Sequence, residues 1–518
     1  MNQPPNEIGS DGIDYGPFGR PLFQEAEALG LSKVGVIDVG SNSVRLVIFD
    51  GAARSPAYFY NEKVMAGLGS GLGETGRLNP EGKVRALSAI RRFAALADSL
   101  GISPLTAVAT AAMRDAEDGP AFREEIERET GVNIFVIDGA EEARLSAQGV
   151  LLGWPGSYGL VCDIGGSSME LADLHDGEVG RRLTSALGPL KLKGIHGGRK
   201  QLEAHVAETM ADLFERMGRP TGQRLFLVGG SWRAIARIDM DRRDYPLHVL
   251  HEYRMTARDV DRTAAYVAKS DLQELRGRCN ISDARMSLIP LAAPVLAELV
   301  RVFEPKDITV SSYGIREGML YEQMPDQLRK RDPLIEAARF AEAKDARTPG
   351  FGRTLYDFVM PLFADADWQK KRIIKAACLL HDVSWRAHPD YRAEITFDNA
   401  TRANLGGLKH AERIYLGLAL LHRYSSKREG TVYEPLFALL TPGEQAEAAV
   451  LGRAMRFGAM LWMKADEAPG RLAWDDQARV LSLHLTEHAR PLYGEVAASR
   501  FEALAKALDA EPRVTIGT

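Results

Sequence analysis

The stretch Asp38-Val39-Gly40-Ser41-Asn42-Ser43-Val44-Arg45-Leu46 returns in altered wording as Asp163-Ile164-Gly165-Gly166-Ser167-Ser168-Met169-Glu170-Leu171. Asp, the first Gly, the last Ser and Leu are identical, and Val/Ile and Asn/Ser are near-matches. Each copy follows one apolar run and leads into another, which reads as two buried strands joined by a tight turn. Glycine lets such a turn bring backbone N–H groups close to an anion, and Ser and Asn add short donors to the same concave surface. An Asp at the strand end can hold a hard cation or orient water. Taken singly, either copy is equally an ordinary hairpin turn. Two matched copies, each heading a similar block of chain, predict two loops that face across a cleft and clamp one phosphate.

Working outward, each hairpin opens an α/β block. In the first, a glycine-dense loop at 67–73 precedes a helix over 80–100, with Val84, Leu87, Ile90, Phe93, Leu96 and Leu100 on its apolar stripe. A strand at 106–110, a helix at 122–130 and a strand at 134–137 follow. The second block has strands at 159–162, 169–174, 225–228 and 308–312. Its helices are expected at 201–217, at 283–302 and from about Ile315. Alternation of this kind predicts α/β domains. From about Pro325 the pattern becomes helical through 333–463, with a strand pair near 472–474 and 480–485 and a last helix at 494–508. The expected division is a mobile tail at 1–32 with a short helix near 23–29, α/β domains at 33–145 and 146–325, and a mostly helical domain at 326–518.

The chain has 518 residues, 45% hydrophobic and 26% charged, with net charge −5. A single core rarely exceeds about 250–300 residues, so several domains are expected. The acidic balance argues against a protein that coats nucleic acid, yet a local basic channel can bind a polyanion on an acidic protein. Cys162, Cys279 and Cys378 are far apart and show no CxxC spacing, which fits a reducing cytoplasm. No apolar run reaches the roughly 18–20 residues of a membrane span, and no apolar leader follows a basic start.

The paired loops resemble the actin-like ATPase superfamily. Within it, the wording is similar to the exopolyphosphatase / guanosine pentaphosphate phosphohydrolase (Ppx/GppA) family. The resemblance rests on Ile37 to Ser43 with Arg45-Leu46, Ala109-Thr110-Ala111-Ala112-Met113-Arg114, and Gly139-Ala140-Glu141-Glu142-Ala143-Arg144. It continues through Asp163 to Leu171, Leu187-Gly188, Val228-Gly229-Gly230 and Gly314-Ile315-Arg316-Glu317-Gly318, in the family's order over about 33–320. It implies two actin-like (ribonuclease H-like) α/β domains around a cleft, followed by an all-α HD-like C-terminal domain. It also implies a Mg²⁺-dependent exopolyphosphatase that releases orthophosphate from inorganic polyphosphate. Guanosine pentaphosphate hydrolysis, a non-catalytic polyphosphate or alarmone sensor, and an ATP-dependent sugar kinase are the alternatives.

By residue type alone, Glu142 is an acid favoured at a helix start. The resemblance makes it the catalytic glutamate that orients or deprotonates water. The resemblance likewise makes Arg114 an active-site arginine, whose planar fork suits phosphoryl oxygens. It assigns Asp163, Glu170 and Glu142 to Mg²⁺, with a solvated strand position the other reading of Glu170. Gly40, Ser41, Asn42 and Ser43, with Gly165, Gly166, Ser167 and Ser168, would cradle phosphate. Trp232, after Gly229-Gly230, departs from an open nucleotide seat. Lys191, Lys193, His196, Arg199 and Lys200 form a basic cluster that either extends a phosphate track or is a solvated loop.

His381-Asp382, with His388, His410 and His422 downstream, looks like the HD step of a metal site. No histidine lies between His251 and His381, so the upstream ligand of an active HD hydrolase is missing. A structural role is expected there, and a cytoplasmic homodimer for the whole chain.

Overall fold

Val34–Val39 (β1) and Val44–Phe49 (β2) pair antiparallel around the turn 40–43, with Asp38 opposite Arg45. The computed structural model describes residues 33–50, 54–102, 105–220, 222–425, 430–465 and 468–517, and the expected tail and short helix at 1–32 lie outside the described residues. Tyr58–Val64 (β3), Leu105–Ala109 (β4) and Ile134–Val136 (β5) complete a sheet of order β3-β2-β1-β4-β5. β1 and β2 are covered on both faces, so they read as continuous apolar runs.

The second sheet repeats this plan. Gly159–Ile164 (β6), Met169–His175 (β7), Glu178–Ser185 (β8), Arg224–Val228 (β9), Arg254–Met255 (β10) and Asp307–Val310 (β11) take the order β10-β11-β9-β6-β7-β8. As β1 does with β2 and β4, β6 pairs antiparallel with β7 and parallel with β9. β3 and β8 were not expected. Most of their side chains are polar or exposed, so neither shows an apolar run.

Helix α1 (Pro80–Ser99) starts where the Asn79 side chain accepts from Gly82 N at 2.8 Å, with Pro80 in the first turn. Leu87, Ile90 and Phe93 are buried, but Val84, assigned to the same stripe, is 70% exposed. Helix α2 (Gly139–Gly153) is capped by Asp138, which accepts from Glu141 N at 2.7 Å, and runs unbroken through residues 145 and 146. Helix α3 (Gly230–Arg242) follows β9. The helix expected over 283–302 is two, Asp283–Met286 and Ile289–Phe303. Pro290 in the first turn of the second has no N–H to continue a helix from upstream. Helix α4 (Ile315–Glu322) crosses α2 with the backbones touching. A Cβ on Gly149 would lie 2.3 Å from Gly314 O, and one on Gly318 would lie 1.8 Å from Leu145 O.

The described residues from 33 to 330 form one compact unit and those from 331 to 517 another. The second is largely rather than wholly helical. It contains α5 (Pro333–Asp345), α6 (Phe351–Val359), α7 (Trp368–Leu380), α8 (Arg392–Arg402), α9 (His410–Tyr424), α10 (Pro442–Leu461) and α11 (Glu495–Ala507). The expected strand pair is Gly470–Asp475 (β12) and Val480–Leu485 (β13). An unforeseen third strand, Glu511–Ile516 (β14), joins β13 in parallel; its exposed, charged face hid it. Among the described residues no helix is long and apolar enough to cross a membrane.

Candidate active site

The two glycine–serine turns close in the same way. Gly40 N donates to Ser43 O at 3.0 Å, and Gly165 N to Ser168 O at 3.0 Å. They also meet, because Ser167 Oγ lies 3.4 Å from Ser41 Oγ. Neighbouring loops brace each turn. Gly69 N donates to Ser41 O at 2.8 Å, Gly67 N to Asn42 O at 3.0 Å, and Leu190 N to Gly166 O at 2.8 Å. The glycine-dense loop therefore supports the first turn. Gly188 supports the second, where a Cβ would sit 2.1 Å from Ser167 C.

Beside the second turn stands a group of carboxylates. The sequence pair Glu141-Glu142 separates here. Glu141 is taken by Arg144, at 2.6 and 2.8 Å, whereas Glu142 is buried. Glu142 Oε2 accepts no hydrogen bond among the described residues, and Arg114 Nη1 lies 3.9 Å from it. Arg114 is held by Ile137 O at 3.1 Å and by Asp115 Oδ1 at 3.1 Å. Asp163 Oδ2 accepts from Ser146 Oγ. Glu170, opposite Asp163 in the β6–β7 register, is also buried. Its Oε1 accepts from Thr184 Oγ1 at 3.2 Å, and its Oε2 has no hydrogen-bond partner among the described residues.

Burial, then Glu170 and Asp163, push Glu142 well above the ordinary carboxylate range. Burial and then Asp163 push Glu170 up to about 8. Burial raises Asp163 as well, despite the Ser146 hydrogen bond. Three acids that resist ionising together, two with an orphaned oxygen, fit the oxygen donor set of a hard cation. Among the described residues no three His, Cys, Asp or Glu side chains are arranged so as to hold a metal ion by themselves. A Mg²⁺ bound here would take its remaining oxygens from substrate and water, its usual habit.

A group of cations, mostly missed in the sequence, lies close together near Asp38 and the Gly229-Gly230 turn. Arg45 and Lys63 sit directly opposite each other across β2 and β3, a like-charge pairing that costs stability in isolation. Burial, then Arg316, lowers Arg45 to about 10. Burial also lowers Lys63, with Arg285, Arg45, Arg233 and Arg316 adding to it. Arg316 Nη1 lies 3.6 Å from Asp38 Oδ2, while its buried Nε has no hydrogen-bond partner among the described residues. Arg285 Nη1 donates to Ser231 Oγ at 3.3 Å, and Arg233 Nε to Gly229 O at 3.1 Å. The acids acting most strongly on these five cations are Asp38, Asp163 and Glu317, and the cations also act on one another. Strand pairing could have flagged Arg45 with Lys63; no spacing signal links either to Arg285.

Two expectations change. Trp232 is fully buried in the core of the second block, so arginines rather than the indole flank the Gly229-Gly230 turn. The basic cluster divides: Lys191 Nζ reaches Asp115 Oδ2 at 3.4 Å, next to Arg114, while Arg199 pairs with Glu203 on its own exposed helix face.

In the helical unit the His381-Asp382 step is present but altered. Arg347 takes both Asp382 oxygens, at 2.6 and 2.8 Å, and its backbone N adds a third contact at 3.2 Å. Burial and then Arg423 hold the His381 imidazole down to about 3. A guanidinium thus occupies the carboxylate that a metal would need.

The Ppx/GppA phosphatase family model matches residues 47–327, and an exopolyphosphatase C-terminal model matches residues 334–511. Exopolyphosphatase 1 of Mycobacterium tuberculosis is 26% identical over 334 residues, covering 61% of this chain and 93% of its own. The guanosine-5'-triphosphate,3'-diphosphate pyrophosphatase of Aliivibrio fischeri is 24% identical over 404 residues, 75% of this chain and 79% of that protein. The crystal structure of an exopolyphosphatase from Cytophaga hutchinsonii superposes with a TM-score of 0.51 at 25% identity, over 56% of this chain and 97% of that one.

Proposed function

This chain belongs to the Ppx/GppA phosphatase family, and from that premise we propose that it is an exopolyphosphatase, removing terminal phosphates from inorganic polyphosphate. The observation that carries the substrate choice is the group Arg45, Lys63, Arg233, Arg285 and Arg316, whose gathered positive charge suits a repeating polyanion. The alternative, guanosine pentaphosphate, has in its favour the likeness to the Aliivibrio protein named for guanosine-5'-triphosphate,3'-diphosphate pyrophosphatase.

The terminal phosphoryl group binds against the place where the two turns meet, at Ser41 and Ser167. Glu142 orients a water and takes its proton. Burial beside Glu170 and Asp163 raises its pKa, the direction that makes a carboxylate a stronger base. The water oxygen bonds to phosphorus as the bridging P–O bond breaks toward the shortened chain. Arg114 holds the equatorial oxygens while negative charge moves across them. Asp163 and Glu170, with Glu142 beside them, would hold a Mg²⁺, which supplies positive charge to the reacting oxygens.

The test is phosphate release from polyphosphates of graded length and from guanosine pentaphosphate, with and without Mg²⁺. A higher kcat/KM for long polyphosphate is expected; preference for the nucleotide selects the alternative, and tight binding without release overturns the hydrolase. The same reading places the protein in the cytoplasm as a homodimer, and a light-scattering mass of one chain would contradict the dimer.

A further inference from the structure

The altered HD step leaves two buried polar groups unsatisfied, of opposite kinds. His381 is 1% exposed, and its Nδ1 lies 2.8 Å from Cys378 O. A carbonyl only accepts, so Nδ1 carries the proton and Nε2 presents a lone pair. That Nε2 has no hydrogen-bond partner among the described residues. Arg423 is 7% exposed, and its Nε–H likewise has no acceptor among the described residues. A buried guanidinium N–H left without an acceptor is costly, so it marks a place for an anion's oxygen.

The surroundings draw these groups together. Tyr424 Oη donates to His381 O at 2.7 Å. Arg423 and Arg392 both lie over the Tyr424 ring, at 4.8 and 5.5 Å. Arg347 holds Asp382. Arg423 is also the strongest charge acting on His381. Arg347, Arg392 and Arg423 thus gather with Asp382 around Tyr424.

We propose that this step binds a protonated phosphate, as free orthophosphate or as a chain end, with the Arg423 Nε–H donating to a phosphoryl oxygen and His381 Nε2 accepting the P–OH proton. One orphan donor and one orphan acceptor complement hydrogen phosphate. Sulfate at neutral pH has no proton to donate, so the site discriminates between them. The inference is independent of the cleft.

Calorimetric titration of the full chain with orthophosphate tests it. Two sites are expected, one of them unmoved by a sulfate excess. Arg423→Met weakens that site about tenfold or more, while polyphosphate hydrolysis at saturating substrate stays within about twofold. An isotherm unchanged in Arg423→Met, or sulfate competing equally at both sites, overturns the proposal. A parallel titration with tripolyphosphate assigns the source: competition at the Arg423-sensitive site means chain ends bind there, and none means free orthophosphate alone. Crystals of the natural chain in arsenate, a protonated anomalous scatterer, give a readout that needs no variant. A peak beside Arg423 supports the site, and arsenate confined to the cleft refutes it.

Discussion

The β1–β2 and β6–β7 hairpins are two versions of one device, and they differ where it matters most. Their turns close with the same 3.0 Å hydrogen bond. Asp38 faces Arg45 in one register, and Asp163 faces Glu170 in the other. Exchanging one side chain at an equivalent position turns a cationic wall into an anionic one. Turn closure and two-sided burial maintain the scaffold, so the charge of that position is free to diverge. On the function proposed above, one copy is left to grip a polyanion, and the other to gather carboxylates for the reaction.

Removing the base on the anionic side has the largest expected effect. Glu142→Gln lowers kcat by about 10³-fold with polyphosphate binding retained; residual activity within tenfold of the natural enzyme would put the base elsewhere. Glu170→Gln follows, with kcat down by about 10- to 100-fold and a higher Mg²⁺ requirement, read from rate against metal concentration. On the cationic side, Arg45→Met raises KM for long polyphosphate by about tenfold and moves kcat less, as expected for a binding group. Equal kcat losses in Arg45→Met and Glu170→Gln would erase the division of labour.

Smaller effects test the scaffold. Gly188→Ala pushes a methyl into the second turn and costs about 1–3 kcal/mol in urea unfolding, whereas a methyl at the open Gly73 is tolerated. With chelator present, the proton on Glu170 also links stability to pH. Its carboxyl is raised from 4.5 to about 8 in the fold, so the stabilisation is complete below about pH 4.5 and is lost as pH rises through about 8. The slope is at most about 1.4 kcal/mol per pH unit for one proton. Glu170→Gln flattens it, Mg²⁺ offsets it, and Arg45→Met leaves it intact, because Arg45 stays charged until about 10. The same slope in Glu170→Gln would assign the proton to another group.

Much of this was legible where one residue type dictates one environment. The buried strands announced themselves as apolar runs, and the repeat located both turns. Glu141 and Glu142 were adjacent acids with nothing in the sequence to rank them except resemblance; burial of one and capture of the other by Arg144 separates them in space. The edge strands β3 and β8 hid behind polar, solvent-facing side chains. Arg285 could not be joined to Lys63 because only the folded chain closes a gap of that length. Trp232 misled for a related reason: bulk suggested a blocked seat, but α3 turns the indole inward.

The α2–α4 crossing ties two of these parts together. Glu142 stands at the head of one helix and Arg316 at the head of the other, and their main chains press together with no room for a single methyl group at Gly318. The pair behaves as a stiff axle. A shift of either helix therefore carries the other with it, so Glu142 and Arg316 keep their relative placement.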